Sequence, residues 1–249
     1  MTDTVQIGKR LDLYISAPQT CDYLADKQSQ SIFISPDVTV TPKIYEYLIS
    51  IGFRRSGKHA YRPQCSGCQS CISSRIDVQH FKASRSQKRL LLKNNDLTFK
   101  PTEALFSDEH YDLYLKYQAH KHPGGSMEQF GVNEYEMFIC QSFGNSILYE
   151  TRLGNKLLAV SVTDIFDNAL SAVYTFFEPA FATRSLGTYS ILQQIQGTKI
   201  QKKQHLYLGY FIKDSLKMSY KANFRPIEML IKGEWKSYLK DEELPNASD

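Results

Sequence analysis

Residues 147–177 read ILYETRLGNKLLAVSVTDIFDNALSAVYTFF, which is three apolar, β-branched runs separated by two short polar breaks. Gly154-Asn155 and Asp167-Asn168 form the breaks, and such residues are frequent in tight hairpin turns because they tolerate left-handed backbone angles. The pattern predicts an antiparallel meander of three strands, namely 147–153, 157–166 and 171–177.

The flanking patterns predict helices and a few more strands. Thr41-Pro42 opens a helix that ends at Gly52, because Pro fits the first helical position and apolar residues follow at helical spacing. This order of elements predicts the α+β class, with helices covering one antiparallel-rich mixed sheet. Pro101 and the polar residues after it predict a boundary between two domains, 1–101 and 102–249. The other predicted helices are 84–94, 108–118, 133–143 and 190–201, and the other predicted strands are at Tyr61, 75–78 and 205–212.

The composition is that of an ordinary globular protein, with 42% hydrophobic and 22% charged residues. No apolar run approaches the ~20 residues that span a bilayer, and the polar start Met1-Thr2-Asp3-Thr4 lacks the apolar region of a signal peptide. We therefore expect a soluble cytoplasmic protein with no membrane partner. The net charge of +4 is too small to establish a nucleic-acid partner by itself.

The basic excess is concentrated in one predicted helix, because the only acidic residue between positions 82 and 100 is Asp96. Each Lys or Arg of such a helix can contact a phosphate and add to a salt-dependent affinity for nucleic acid. The alternative interpretation is a solvated polar face. We favour the nucleic-acid surface and assign it to Lys82, Arg85, Lys88, Arg89 and Lys93.

Three of the five cysteines follow a regular spacing, Cys65-x-x-Cys68-x-x-Cys71. Closely spaced thiolates on a loop can converge on one soft ion, and Cys21 is available as a fourth ligand. Zinc and an iron–sulfur cluster both suit such a set. Buried free cysteines that act as small hydrophobic residues are the alternative, and Cys140 is assigned to the core on that ground.

The segment from Gly52 to His59 has the glycine and lysine spacing of a phosphate-binding loop. His59 occupies the position of the Ser or Thr that binds Mg²⁺, and the segment follows a helix where a strand is required. We therefore reject a nucleotide site and expect the C-terminus of a helix with solvated basic residues. Contact of the arginine pair beside the two glycines with an anionic partner is the alternative that stays open.

A second glycine motif, Arg184-x-x-Gly187-x-Tyr189, opens the helix after the meander. The backbone N–H groups of a helix N-terminus can bind a carbonyl oxygen or a phosphate. The motif is similar to the loop with which GNAT-fold N-acetyltransferases hold the pyrophosphate of coenzyme A, except that Tyr189 replaces a small residue. An N-acetyltransferase that uses acetyl-CoA is thus an alternative function.

Eight ordered segments are spread over nearly the whole chain, and they are Cys21-x-Tyr23-Leu24, Gly52 to Gly57 with Tyr61-Arg62-Pro63, the three spaced cysteines, Ser84 to Arg89, Ser171 to Tyr174, Ser185 to Tyr189, Tyr207 to Tyr210 and Lys217-Met218-x-Tyr220-Lys221. Together they resemble the bacterial aspartate/glutamate leucyltransferases, relatives of the arginyl-tRNA–protein transferases. Ala25-Asp26-Lys27 departs from the Pro and Gly residues common after the Tyr-Leu pair, which concerns local loop shape.

The resemblance implies a small cysteine-bearing N-terminal domain followed by a GNAT-like domain that uses no acyl-CoA. It implies transfer of leucine from leucyl-tRNA to proteins that begin with Asp or Glu, which creates a degradation signal (an N-degron). The donor ester is already activated, so no cofactor is expected to be required for catalysis. A noncatalytic, metal-bearing RNA-binding protein is a second alternative function.

This chemistry assigns roles to particular residues. Asp164 lies in a strand, where an unpaired charge is costly, and it is our expected proton acceptor, with Tyr174 as its orienting or relaying partner and Glu178 in reserve. The backbone of Ser185, Gly187 and Thr188 is expected to stabilise the tetrahedral oxyanion. A guanidinium or ammonium group is expected to bind the acceptor carboxylate, and the unranked residues for that role are Arg54, Arg55, Arg75 and Lys217.

Overall fold

The computed structural model describes residues 11–245, so that Met1-Thr2-Asp3-Thr4 lie outside the described residues. None of the described helices combines the length and the apolar character required to cross a bilayer. The helices are α1 (Pro42–Ser50), α2 (Arg85–Lys93), α3 (Asp108–Lys121), α4 (Val132–Ile139) and α5 (Leu186–Ile200). The strands are β1 (Leu13–Ile15), β2 (Gln19–Thr20), β3 (Gln28–Ser29), β4 (Ser31–Ile34), β5 (Arg54–Ser56), β6 (His59–Pro63), β7 (Ile72–Asp77), β8 (Thr98–Glu103), β9 (Ser146–Leu153), β10 (Lys156–Ile165), β11 (Ala169–Phe177), β12 (His205–Phe211), β13 (Ile227–Ile231) and β14 (Glu234–Tyr238).

The predicted meander is confirmed. Strands β9, β10 and β11 pair antiparallel in sequence order, with Val160 opposite both Glu150 and Phe176. These strands belong to an eight-stranded sheet with the order β14-β13-β7-β12-β11-β10-β9-β8. The structure is therefore a mixture of helices and a large, mostly antiparallel sheet, as the α+β prediction requires.

The large sheet contains one parallel pair, and that pair is short. Strands β11 and β12 are paired only from Ala169–His205 to Ser171–Tyr207, although both strands continue beyond these residues. Beyond these residues, β11 and β12 are not paired with each other. Tyr174 of β11 and Tyr210 of β12 both lie in this unpaired part.

Helices pack on both faces of the large sheet. Leu206 and Leu208 of β12 pack against Ile191, Leu192 and Ile195 of α5. Tyr207, which lies between the two leucines, packs with the buried residues of α1 instead. Because side chains alternate along a strand, α5 and α1 cover opposite faces.

The region predicted as a domain boundary is part of the large sheet. Pro101 lies inside β8, which pairs only with β9 and forms one edge of the sheet, a position where the missing N–H of proline is tolerated. Strand β7, from the first 101 residues, pairs with β12 on one side and β13 on the other. Both parts of the chain therefore contribute strands to one sheet.

A separate four-stranded sheet, with the order β1-β4-β6-β5, contains the segment that has phosphate-loop spacing. Strands β5 and β6 form a hairpin in which Ser56 pairs with His59. Gly57 in this turn has a φ of +56°, and a Cβ atom there would collide with the Met137 carbonyl. The segment is a strand–turn–strand unit and not the strand–loop–helix of a nucleotide-binding loop. Arg54 and Arg55 are buried, so the expectation of solvated basic residues is wrong for this pair.

Candidate active site

The hydroxyl group of Tyr174, on β11, is hydrogen-bonded to a buried side-chain amide of α3. Gln118 of α3 is fully buried, and its Nε2 donates a 2.8 Å hydrogen bond to Tyr174 Oη. Burial raises the pKa of Tyr114, and the nearby Gln118 amide reduces this rise only in part. The Tyr114 hydroxyl donates to the Met127 carbonyl at 2.9 Å. Gln118 thus supplies an N–H group to the Tyr174 oxygen, and the Tyr174 O–H is left to donate elsewhere.

Burial raises the pKa of Tyr174, so its hydroxyl keeps the proton at neutral pH. The Gln118 Oε1 atom has no partner among the described residues. A protonated tyrosine whose oxygen accepts from a buried amide is suited to donating a hydrogen bond to a reacting oxygen. The sequence analysis selected Tyr174 but not Gln118, because nothing in the pattern of α3 distinguishes Gln118 from a core residue.

Asp164 is engaged in a buried ion pair with Arg55. Arg55 Nε and Nη2 donate to the two carboxylate oxygens of Asp164 at 2.7 Å each, and Ser146 Oγ donates to Oδ1 as well. Both oxygens of Asp164 are therefore engaged, and the ion pair joins β5 to β10. Tyr174, its predicted partner, is hydrogen-bonded to Gln118. The role of Asp164 as a general base stays a prediction.

Arg54 is buried, and one edge of its guanidinium group is unpartnered. Its Nη1 donates to the carbonyl of Phe53 at 2.6 Å, whereas Nε and Nη2 have no hydrogen-bond partner within the described residues. The guanidinium carbon lies 5.5 Å and 5.4 Å from the ring centroids of Tyr207 and Tyr210, respectively. Both rings offer cation–π contacts but no countercharge.

A second buried basic side chain, Lys221, lies beside Arg54. Its Nζ donates to the Tyr210 carbonyl at 2.6 Å. Burial and the nearby Arg54 charge lower the pKa of Lys221 to about 7. The sequence analysis quoted Lys221 as part of a family motif without giving it a role, since a lysine pattern alone does not reveal burial.

The remaining predicted carboxylate-binding residues differ from Arg54. Arg75 Nε donates to Glu228 Oε2 at 2.6 Å, and its guanidinium carbon lies 4.1 Å from the centroid of the Trp235 ring. Lys217 is exposed in the loop after β12. Arg55 is occupied by Asp164. Of the four residues, Arg54 is the buried one that keeps an unpartnered donor edge.

The loop before α5 lies next to the basic helix α2. Ser185 adopts a left-handed conformation with a φ of +48°, and α5 begins at Leu186, four residues before the predicted start. Lys93 Nζ and Asn94 Nδ2, at the end of α2, donate to the carbonyls of Thr183 and Arg184. The basic helix therefore supports the loop that presents the backbone of Ser185, Gly187 and Thr188.

The predicted nucleic-acid surface is exposed along one side of α2. Ser84 and Gln87 form a capping box that fixes the start of this helix, and Gln87 also donates to the Asn223 carbonyl at 3.0 Å. This cap orients the helix on the protein, which leaves its basic side chains in solvent. The exposed basic residues are Lys82, Arg85, Lys88, Arg89 and Lys93.

The four predicted metal ligands are neighbours, but they do not form a compact ligand set in this structure. Burial, together with the nearby Cys65, Cys21 and Cys68, raises the pKa of Cys71 to about 12. The Gln30 N–H lies 3.5 Å from Cys65 Sγ. Among the described residues, the group of side chains with metal-ligand spacing is a different one, namely Asp77, His205 and Glu228.

We interpret that group as an ion-pair network. Glu228 is bonded to Arg75, and Asp77 lies 2.9 Å from His80, so both carboxylates already have partners. His205 and Arg75 also line a cavity of about 460 Å³ next to α1.

Two family models match this chain. A model described as arginine-tRNA-protein transferase, N terminus, matches residues 19–89, and the corresponding C-terminus model matches residues 109–231. The residues between the two matches include β8 and the predicted boundary at residue 101.

Curated relatives match over nearly the whole chain. A protein of Saccharophagus degradans named aspartate/glutamate leucyltransferase is 43% identical over 230 residues, which are 92% of this chain and 98% of that protein. Proteins with the same name from Pseudomonas fluorescens (43%; 91% of this chain and 96% of that protein) and Hahella chejuensis (40%; 91% and 97%) are similar. A solved structure of L-PGS from Bacillus licheniformis covers 71% of this chain and 62% of its own, with 14% identity and a TM-score of 0.44, which is too low to support an argument.

Proposed function

This chain belongs to the arginine-tRNA-protein transferase family, and from that membership we propose that it transfers leucine from leucyl-tRNA to the N-terminal Asp or Glu of proteins. The observation that carries the proposal is the 43% identity over 92% of the chain to a protein named for this reaction. The protein is thus an aminoacyltransferase, and its product is an N-degron. Aminoacyl-tRNA is cytoplasmic, and we place the enzyme in that compartment.

The reaction needs no ATP or acyl-CoA, because the ester of leucyl-tRNA is already activated. The α-amine of the acceptor forms an amide bond with the leucine carbonyl carbon, and the ester bond to the ribose breaks. The ribose oxygen gains a proton while the amine loses one. A free α-amine has a pKa of ~8, so part of it is already neutral near pH 7.

Tyr174 is the group that we place at the reacting ester. Its hydroxyl oxygen accepts from Gln118, so its proton is directed to an ester oxygen on which negative charge develops. The backbone N–H groups of Gly187 and Thr188, at the start of α5, are a further source of donors for that charge, as the sequence predicts. The Ser185 N–H, which was predicted to join them, donates instead to the Ala182 carbonyl at 3.0 Å. Asp164 keeps its predicted role as a base only as a hypothesis, because Arg55 occupies both of its oxygens.

The tRNA is placed along α2. Exposed basic residues of this helix bind backbone phosphates, and its C-terminal end contacts the loop before α5. The phosphate-binding side chains of α2 therefore lie next to the N-terminus of α5, where we place the aminoacyl end of the tRNA. We also propose that α5 and the loop before it belong to a GNAT-like domain that follows a cysteine-bearing N-terminal part.

The cysteines fit a thiolate-bound metal in chemical kind. Cys65 and Cys68 are connected by a turn at Gly67, which has a φ of +71°, and Cys21 and Cys71 lie close enough to affect the same pKa. Zinc or an iron–sulfur cluster held by Cys21, Cys65, Cys68 and Cys71 would supply a structural link between two loops. Anaerobically purified protein is then expected to carry near-stoichiometric zinc or iron, and Cys68→Ser to lose it with a lower melting temperature. Metal-free protein with the wild-type melting temperature would contradict this assignment.

The proposed function is tested by transfer from defined aminoacyl-tRNAs to peptides that differ only in their first residue. Leucine from leucyl-tRNA is expected on peptides that start with Asp or Glu, and arginine from arginyl-tRNA on none of them. A parallel assay with radiolabelled acetyl-CoA tests the N-acetyltransferase alternative. Binding of tRNA without transfer to any peptide would favour the noncatalytic RNA-binding alternative.

A further inference from the structure

Arg54 and Lys221 are two buried basic side chains without a carboxylate partner in residues 11–245. Arg54 is 7% exposed and Lys221 is 3% exposed. The groups around them are the Tyr207 and Tyr210 rings, backbone carbonyls, the Met218 sulfur and the Cys71 side chain, and none of these is a carboxylate. An arginine keeps its charge when it is buried, and buried charges are normally paired, so the unpartnered edge of Arg54 indicates a place for an anion.

The unpartnered edge of Arg54 has the geometry of a carboxylate receptor. Its free atoms are Nε and Nη2. These are the same two atoms with which the neighbouring Arg55 binds both oxygens of Asp164. Arg55 and Asp164 thus form a complete bidentate pair, whereas Arg54 offers the same two donors without a carboxylate.

The residues around Arg54 leave this edge without a partner. A Cβ atom at Gly209, between Tyr207 and Tyr210, would lie 4.0 Å from Arg54 Nε, and the φ of +81° at this residue disfavours a side chain there. Among the other predicted carboxylate-binding residues, Arg55 and Arg75 have carboxylate partners and Lys217 is exposed.

We propose that Arg54 and Lys221 form the pocket that recognises the acidic side chain of the acceptor's N-terminal residue, with the Nε and Nη2 edge of Arg54 binding its carboxylate. This assignment rests on the proposed leucine transfer to Asp and Glu. Asn and Gln are rejected because the side-chain amide has an NH2 group in place of the second carboxylate oxygen. One N–H donor of Arg54 then faces another donor and stays buried without a partner. Both free nitrogen atoms are closed to solvent in this structure, so acceptor binding includes a local rearrangement.

The test compares kcat/KM for leucine transfer to peptides that start with Asp, Glu, Asn or Gln at saturating leucyl-tRNA. Arg54→Gln is expected to lower transfer to Asp and Glu peptides about 10²-fold and to change Asn and Gln peptides little, so that selectivity is lost. Lys221→Met is expected to lower the Asp to Asn ratio by about tenfold. The matched control is Arg62→Gln on β6, because Arg62 contacts the Phe53 ring and the Ile51 carbonyl and is expected to leave the ratio unchanged.

A folded Arg54→Gln protein that keeps the wild-type Asp to Asn ratio would overturn the assignment. Because Arg54→Gln can also unfold the protein, binding of the same peptides to the wild type and to Arg54→Lys is measured by fluorescence anisotropy without tRNA. Wild-type protein is expected to bind the Asp peptide at least about tenfold more tightly than the Asn peptide, and Arg54→Lys to reduce that difference. Equal binding by the wild type would overturn the pocket. Absence of leucine transfer by the wild type to every peptide would instead overturn the proposed function.

Discussion

The paired arginines of β5 show how adjacent residues acquire different environments. Arg54 and Arg55 point to opposite sides of their strand, as alternation requires. Arg55 meets Asp164, 109 positions later in the chain, whereas Arg54 lies between two tyrosine rings. Sequence spacing carries no information on a contact of that separation, which is why the four basic residues could not be ranked before the structure was known.

Asp164→Asn separates a structural role from a catalytic one. The substitution removes the charge that pairs with buried Arg55, and breaking a buried pair costs about 3–5 kcal/mol of unfolding free energy. Urea denaturation measures this loss, and Asp167→Asn in the exposed turn after β10 is the matched control, with little expected effect. Wild-type stability together with a transfer rate lowered about 10²-fold at saturating substrates would restore Asp164 as a base.

Tyr174 and Gln118 are expected to act together. Tyr174→Phe removes the proposed donor and is expected to slow single-turnover transfer about 10²-fold with unchanged tRNA affinity. Gln118→Glu replaces the amide N–H with an acceptor, so that Tyr174 donates to the new carboxylate rather than to the substrate, and a comparable loss is expected. The double substitution is expected to be no slower than Tyr174→Phe alone.

The control for this pair is Tyr135→Phe. Tyr135 lies in the same aromatic cluster, is fully buried, and has a hydroxyl group without a partner among the described residues. Its removal is expected to leave the transfer rate unchanged. If the fold losses of the Tyr174 and Gln118 substitutions multiply in the double variant, the two residues act independently.

At the scale of elements, capping residues in the sequence predicted the helix starts that local hydrogen bonds fix. The start of α1 was predicted from Thr41-Pro42, and Thr41 Oγ1 does accept a hydrogen bond from the Ile44 N–H. The start of α2 is fixed by the Ser84 and Gln87 capping box. Strands β1 to β4 were not predicted, because they are two to four residues long and carry no extended alternation. Strands β5, β8, β13 and β14 were also missed, and the register of β13 and β14 depends on pairing with β7 and with each other, which local patterns do not show.

Helix α2 offers a test of the tRNA surface. Lys88→Ala with Arg89→Ala removes two exposed charges without touching the capping box. The affinity for tRNA is expected to fall, and the slope of log affinity against log salt to become shallower by roughly one to two units. Lys236→Ala with Lys240→Ala, on and after the edge strand β14, is the matched control. A salt slope that is the same in both double variants would contradict the assignment of α2.

At the scale of the whole molecule, strands from both sides of the predicted domain boundary at residue 101 form one sheet. The two family matches, 19–89 and 109–231, place β7 in the first segment and β12 and β13 in the second. Since β7 pairs with both of these strands, the sheet is continuous only when the two segments are together. Composition and turn signals marked Pro101 as a break, but they cannot reveal that an earlier strand is inserted between two later ones.

This inserted strand predicts the behaviour of fragments. Residues 102–249 alone lack β7, so β12 and β13 lose the partner between them, and Met229 loses its cross-strand pairing with Ser74. The fragment is expected to aggregate or to unfold without a cooperative transition, whereas co-expression with residues 1–101 restores a soluble complex. Circular dichroism during thermal unfolding, together with gel filtration, measures both outcomes. A fragment of residues 102–249 that unfolds cooperatively by itself would mean that the second half does not need β7, and that residue 101 separates two independently folding domains.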